Sequence, residues 1–79
     1  MTISTYPYRG AYRTLQQLGT RQGSRVRQVP GGGIVVVSEQ NPKSVYMAFP
    51  RQPYQVEVYD RSARRALRLA TSGRVSPVL

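Results

Sequence analysis

The sequence contains no cysteine, no histidine and no tryptophan, and it has only three acidic residues, Glu39, Glu57 and Asp60. Without cysteine there is neither a disulfide framework nor a thiolate metal site. A small disulfide-free chain fits the reducing cytoplasm, which is the expected location. Without histidine, serine or cysteine catalysis through an imidazole base is excluded, and so are the usual zinc ligands. Three carboxylates are too few for a two-metal nuclease site. Glu57 and Asp60 lie close enough in sequence for an acid and base pair, but Asp60 suits a helix cap and Glu57 an offset to nearby arginines. The expectation is a protein that is not an enzyme, with no catalytic residue, no metal and no cofactor. The N-terminus MTISTYPYRG lacks the apolar centre of a signal peptide. The longest aliphatic run, Ile34 to Val37, is far short of the roughly 20 residues of a membrane span. No membrane partner is expected.

What the chain does contain is positive charge. Twelve cations face the three acids, for a net charge of +9, and all but Lys43 are arginine. Arginine presents a planar, weakly hydrated fork that suits bidentate contact with phosphate or carboxylate and stacks on aromatic rings. Genomic base composition and heat adaptation also favour it. A net charge of this size on 79 residues attracts polyanions without specificity. The length is that of a single domain, 1–79, near the lower limit for folding on a hydrophobic core alone.

Periodicity and punctuation predict six elements in the order α-β-β-β-β-α. A first helix begins after Thr5 or Tyr6, ahead of Pro7. It turns Ala11, Leu15 and Leu18 inward, with Tyr12 beside them, and stops at Gly19 or Gly23. Ser24 to Val29 reads as a short strand, irregular because Val26 and Val29 break alternation. Pro30-Gly-Gly-Gly33 reads as a hairpin turn; a phosphate cradle would need the Gly-Lys-Ser/Thr ending of a P-loop and a following helix. Ile34 to Val37, β-branched throughout, suits a central strand or one covered on both sides. Gln40 to Lys43 is turn chemistry. Val45, Met47 and Phe49 then point one way while Ser44, Tyr46 and Ala48 point the other. Pro50 and Pro53 bracket a loop. Tyr54, Val56 and Val58 alternate with Gln55, Glu57 and Tyr59 in the cleanest amphipathic strand. The fold class is therefore α+β: a small two-layer domain, with a four-stranded antiparallel meander and both helices against one face. Residues 74–79 are expected along the body or as an added edge strand.

The second helix carries the candidate site. In DRSARRALRLATSG, residues 60–73, Asp60 or Ser62 can cap the start and Gly73 can close the end. Ala63, Ala66, Leu67 and Ala70 share one helical face; Arg61, Arg64, Arg65 and Arg68 share nearly the opposite one. Cations in the first turn oppose the helix dipole by about 0.3–1 kcal/mol each. Neighbouring arginines at i, i+3 and i+4 repel by roughly 0.2–0.5 kcal/mol per pair. A bound polyanion relieves both costs, and a solvated basic face is the plainer alternative. Arg25 and Arg27, with Arg21, form a further basic stretch around the first predicted strand. Tyr6-Pro-Tyr8-Arg9-Gly-Ala-Tyr12-Arg13 interleaves tyrosine with arginine, a pattern able to stack bases while touching phosphate, or equally to edge a core; packing is the expectation for Tyr12 and Tyr54.

The order helix, antiparallel strands, helix, with ARRALRLA at the second helix's start, resembles the double-stranded-RNA-binding domain. There a basic patch spans the major-groove phosphates. The resemblance implies that role for Arg64, Arg65 and Arg68. The chain departs from that pattern in using arginine for lysine, in a fourth predicted strand, and in lacking the minor-groove loop with its histidine.

Two functions are expected to compete. One is a non-catalytic binder of RNA or DNA, without sequence preference, through Arg61, Arg64, Arg65 and Arg68, aided by Arg25, Arg27, Arg9 and Tyr8. The other is an adaptor whose arginine face docks on an acidic surface of a larger protein assembly. An exposed apolar sheet edge would also allow a homodimer.

Overall fold

Ile34–Ser38 packs four β-branched residues against both faces of one sheet, and this strand organises the fold. The computed structural model describes residues 1–76. In chain order it runs β1 (Thr2–Pro7), α1 (Ala11–Leu18), β2 (Ser24–Gln28), β3 (Ile34–Ser38), β4 (Asn41–Ala48), β5 (Tyr54–Tyr59) and α2 (Ala63–Thr71). The strands form one sheet in the order β1-β5-β4-β3-β2, with every neighbouring pair antiparallel.

The meander β2 to β5 follows the expected segments, and the difference is a fifth strand. Residues 2–7 pair with β5, Thr2 opposite Tyr59 through Pro7 opposite Tyr54. Pro7 is tolerated because it ends an edge strand, where a missing N–H costs no central ladder bond. The first helix consequently starts at Ala11, after Gly10 in a left-handed conformation (φ 78°). Since β1 and β2 occupy opposite edges, the segment carrying α1 crosses the whole sheet.

The helices do not share a face. Strand side chains alternate, so Ile34 and Val36 point opposite to Val35 and Val37. Ala11 and Leu15 of α1 pack with Ile34, Val36 and Ala48. Ala66 and Ala70 of α2 pack with Val35, Val37, Val45, Met47, Val56 and Val58. The expected two-layer arrangement is thus corrected to helix, sheet, helix. Its cause is in β3, whose unbroken apolar run needs cover on both sides.

Local details follow the chemistry of each turn. Gly31 (φ 89°) and Gly32 (φ 80°) turn the β2–β3 hairpin. Gly33 is buried against the Phe49 ring, where a Cβ would come within 2.6 Å of Cε1. The turn expected at 40–43 is shorter: Asn41 already belongs to β4, and the β3–β4 register shifts between Val37 and Ser38. Pro42, which has no N–H to give, lies at that irregularity. Val75 packs against the α2-side core. The last three residues of the expected terminal segment lie outside the described residues.

Candidate nucleic-acid interface

The helix bearing the arginines is fixed at both ends. Ser62 is the N-cap, its hydroxyl accepting from the Arg65 backbone N–H at 3.3 Å. Asp60 sits one step earlier, 6% exposed, and its carboxylate accepts from the Ser62 N–H at 3.2 Å. The N-terminal ammonium of Met1 lies 3.5 Å from the same carboxylate. Burial pushes the Asp60 carboxyl up, but the Ser62 N–H, the N-terminal ammonium and Arg65 together hold it below its ordinary value. At the other end Gly73 adopts φ 85°, close against Pro30 of the β2–β3 hairpin. Between these points Ala66 and Ala70 are fully buried, and Leu67 and Leu69 pack at the margin. Alanine's small side chain lets the helix lie close to β4 and β5.

Arg61, Arg64, Arg65 and Arg68 are all exposed, but Arg61 precedes the Ser62 cap and lies outside α2, so helical spacing positions only the other three. The helix divides them between its flanks. On one flank Arg64 lines a groove of about 480 Å³ with Arg25, Ala63, Leu67 and Val37. Arg25 and Arg27 pair across the ladder with Val37 and Val35, which places both arginines on the α2 side of the sheet. On the other flank Arg65 and Arg68 line a second groove with Arg74, Leu69 and Met1. Arg74 was missed because nothing in the sequence tied the segment after Gly73 to the helix flank. Among the described residues, the single ion pair is that of Met1 with Asp60, so no arginine is bridged to a carboxylate. Glu39 lines the Arg25–Arg64 groove without closing an ion pair there.

Arg9 and Tyr8 belong elsewhere. Arg9 lines a separate groove with Arg51, Tyr12 and Pro53. Tyr8 is 42% exposed, and its backbone N–H bonds the Pro53 carbonyl at 2.9 Å. The structure therefore joins Arg25 and Arg27 to the α2 surface and leaves Arg9 and Tyr8 apart from it. Tyr12 and Tyr54 pack against the two cores as expected. On the sheet face opposite α2, Tyr6 donates its hydroxyl to Glu57, and that bond raises its pKa to about 12. Tyr46, which pairs across the ladder with Glu57, is raised first by burial and then by that carboxylate's charge.

Among the described residues no group of acids could hold a metal, and no helix is long and apolar enough to cross a membrane. No family model, curated protein or solved structure matches this chain. The order helix, strands, helix that suggested the double-stranded-RNA-binding domain is not kept, because β1 precedes α1, and the likeness is confined to the basic helix at residues 63–71.

Proposed function

We propose that the protein is a small non-catalytic binder of RNA or DNA that grips the phosphate backbone with the α2 surface and shows no sequence preference. The observation that carries this reading is the set of exposed, unbridged arginines on α2, joined across one groove by Arg25. An arginine without a carboxylate partner keeps its full charge and all its donors for an incoming anion. Arg61, Arg64, Arg65 and Arg68 supply the phosphate contacts, and Arg25 and Arg27 extend them onto the sheet. The test is a titration with a short mixed-sequence duplex at low salt, repeated with Arg64→Ala/Arg68→Ala. Wild-type protein binds, the double variant binds at least tenfold more weakly, and scrambling the duplex changes little. No binding by the wild type at low salt would refute the reading.

A second reading is favoured by a different observation. The groove holding Arg65, Arg68 and Arg74 also holds the side chains of Leu69 and Met1, the latter 59% exposed. Arginine beside apolar surface is the composition of a protein interface. Here the helix docks on an acidic protein surface, and affinity-purified complexes survive nuclease treatment. Self-association belongs to the β1 edge. Thr2–Pro7 is uncharged and Ile3 is 52% exposed, whereas Arg25 and Arg27 guard the β2 edge.

A further inference from the structure

The β2 edge has a property the α2 surface does not explain. Two bonds outside the ladder fix which of its backbone groups are used. Val29 N–H bonds the Gly33 carbonyl at 3.0 Å, and Glu39 N–H bonds the Gly23 carbonyl at 2.8 Å. Antiparallel ladder bonds recur at every second residue, so Arg25 and Arg27 also bond inward to β3. Ser24, Val26 and Gln28 therefore turn their N–H and C=O groups outward. The Ser24 N–H is taken by the Arg21 carbonyl at 3.1 Å, as that parity requires. The N–H and C=O of Val26 and of Gln28 face open space beyond the last strand of the sheet.

We propose that this edge binds an extended acidic peptide by antiparallel strand addition, in the pattern acid, apolar, acid. The central residue pairs with Val26 through backbone bonds. Its neighbours then fall opposite Arg25 and Arg27 in the closer, non-hydrogen-bonded positions, on the α2 side. Carboxylates there meet two unbridged guanidiniums, with Arg64 lining the same groove as Arg25. The central side chain lies on the other face against Val26, which is 43% exposed. Charge decides the occupant. A second copy of β2 paired about Val26 would set Arg25 against Arg27 of that copy, and like charges directly opposed destabilise a strand pair. Backbone bonds supply affinity and alternate side chains supply selectivity in this mode of recognition. The inference uses the backbone of β2 and does not rest on the nucleic-acid reading of α2.

The experiment uses the whole protein and two capped peptides of equal composition, Thr-Glu-Val-Glu-Thr and Glu-Thr-Val-Thr-Glu, titrated at low salt with amide shifts read by NMR. The first peptide is expected to bind about tenfold more tightly and to shift Val26 and Gln28. Val26→Pro removes an outward N–H and leaves the β3 ladder bonds in place. It is expected to weaken the first peptide by roughly tenfold while duplex DNA binding is unchanged. Equal affinity for the two peptides, or full affinity in a folded Val26→Pro protein, overturns the proposal. Should the proline variant fail to fold, the comparison of the two peptides on the wild type decides alone. Peptide binding without duplex binding leaves this inference standing and removes the nucleic-acid reading; the converse result does the opposite.

Discussion

Gly33 is held to glycine by contact. Its Cα lies against the Phe49 ring and Val29, and an added Cβ would stand 2.6 Å from one ring carbon and 2.9 Å from a Val29 methyl. Both neighbours are core residues with no room to retreat. Gly33→Ala is expected to destabilise the fold by about 1–3 kcal/mol, seen as a lower urea midpoint. Gly31, exposed in the turn, owes its identity to backbone conformation instead. The sequence PGGG marks the hairpin but does not distinguish these roles, because the Phe49 contact joins distant parts of the chain. Asp60 is a comparable case. Of the two cap residues the sequence offered, Asp60 and Ser62, it is Ser62 that caps the helix, while Asp60 accepts from the Ser62 N–H and holds the chain's N-terminus. Its lowered pKa stabilises the fold above the ordinary aspartate range, and this contribution is lost as pH falls through the folded value. Asp60→Asn should therefore lower the urea midpoint at pH 7 and differ little from wild type once pH has fallen below the folded value of Asp60.

At the scale of elements, α2 was the most legible part of the molecule and β1 the least. Two interleaved i, i+3, i+4, i+7 sets make the helix plain, and its buried alanines and Arg64, Arg65 and Arg68 fall where that spacing puts them, whereas Arg61 stands before the Ser62 cap. TISTYP has no apolar stripe because an edge strand with exposed side chains at every position but Ser4 needs none. Its pairing is decided by β5, from Thr2 opposite Tyr59 to Pro7 opposite Tyr54 near the other end of the chain, and not by its own residues. The composition of α2 also carries a testable conflict between folding and binding. Arg64 stands at the second helical position, where a cation opposes the dipole, and four residues before Arg68, which it repels. Arg64→Glu reverses both effects and sets a carboxylate in the groove beside Arg25. The variant is expected to be more stable by about 0.5–1 kcal/mol by thermal unfolding, while duplex affinity falls more than tenfold. A variant that gains stability and keeps its affinity would show that the helix is a solvated face without a phosphate partner.

Over the whole molecule, the placement of the helices on opposite faces determines how the charge can act. The β-branched run of β3 suited either a central strand or one covered on both sides, and assigning one helix to each face requires knowing that the segment from β1 to β2 crosses the sheet. That crossing separates the candidate residues: Arg25 and Arg27 join the α2 side, and Arg9 stays with Arg51 and Tyr12. A polyanion on α2 therefore meets Arg61 before the cap, the helix arginines Arg64, Arg65 and Arg68, and Arg25 and Arg27 on the sheet, while Arg9 lies in another groove. If these six arginines neutralise about five phosphates, the slope of log affinity against log salt is near −4.5 on duplex DNA, with a loss of several-hundred-fold between about 50 and 200 mM salt. Engagement of every cation, as expected from non-specific condensation on a net charge of +9, would give a slope near −11 instead. Measuring the slope for wild type and for Arg9→Ala separates the two. An α2-only footprint leaves the slope unchanged in Arg9→Ala and reduces it by about one in Arg68→Ala. Equal reductions in both variants would mean that the charge acts as a diffuse field, with no preferred face.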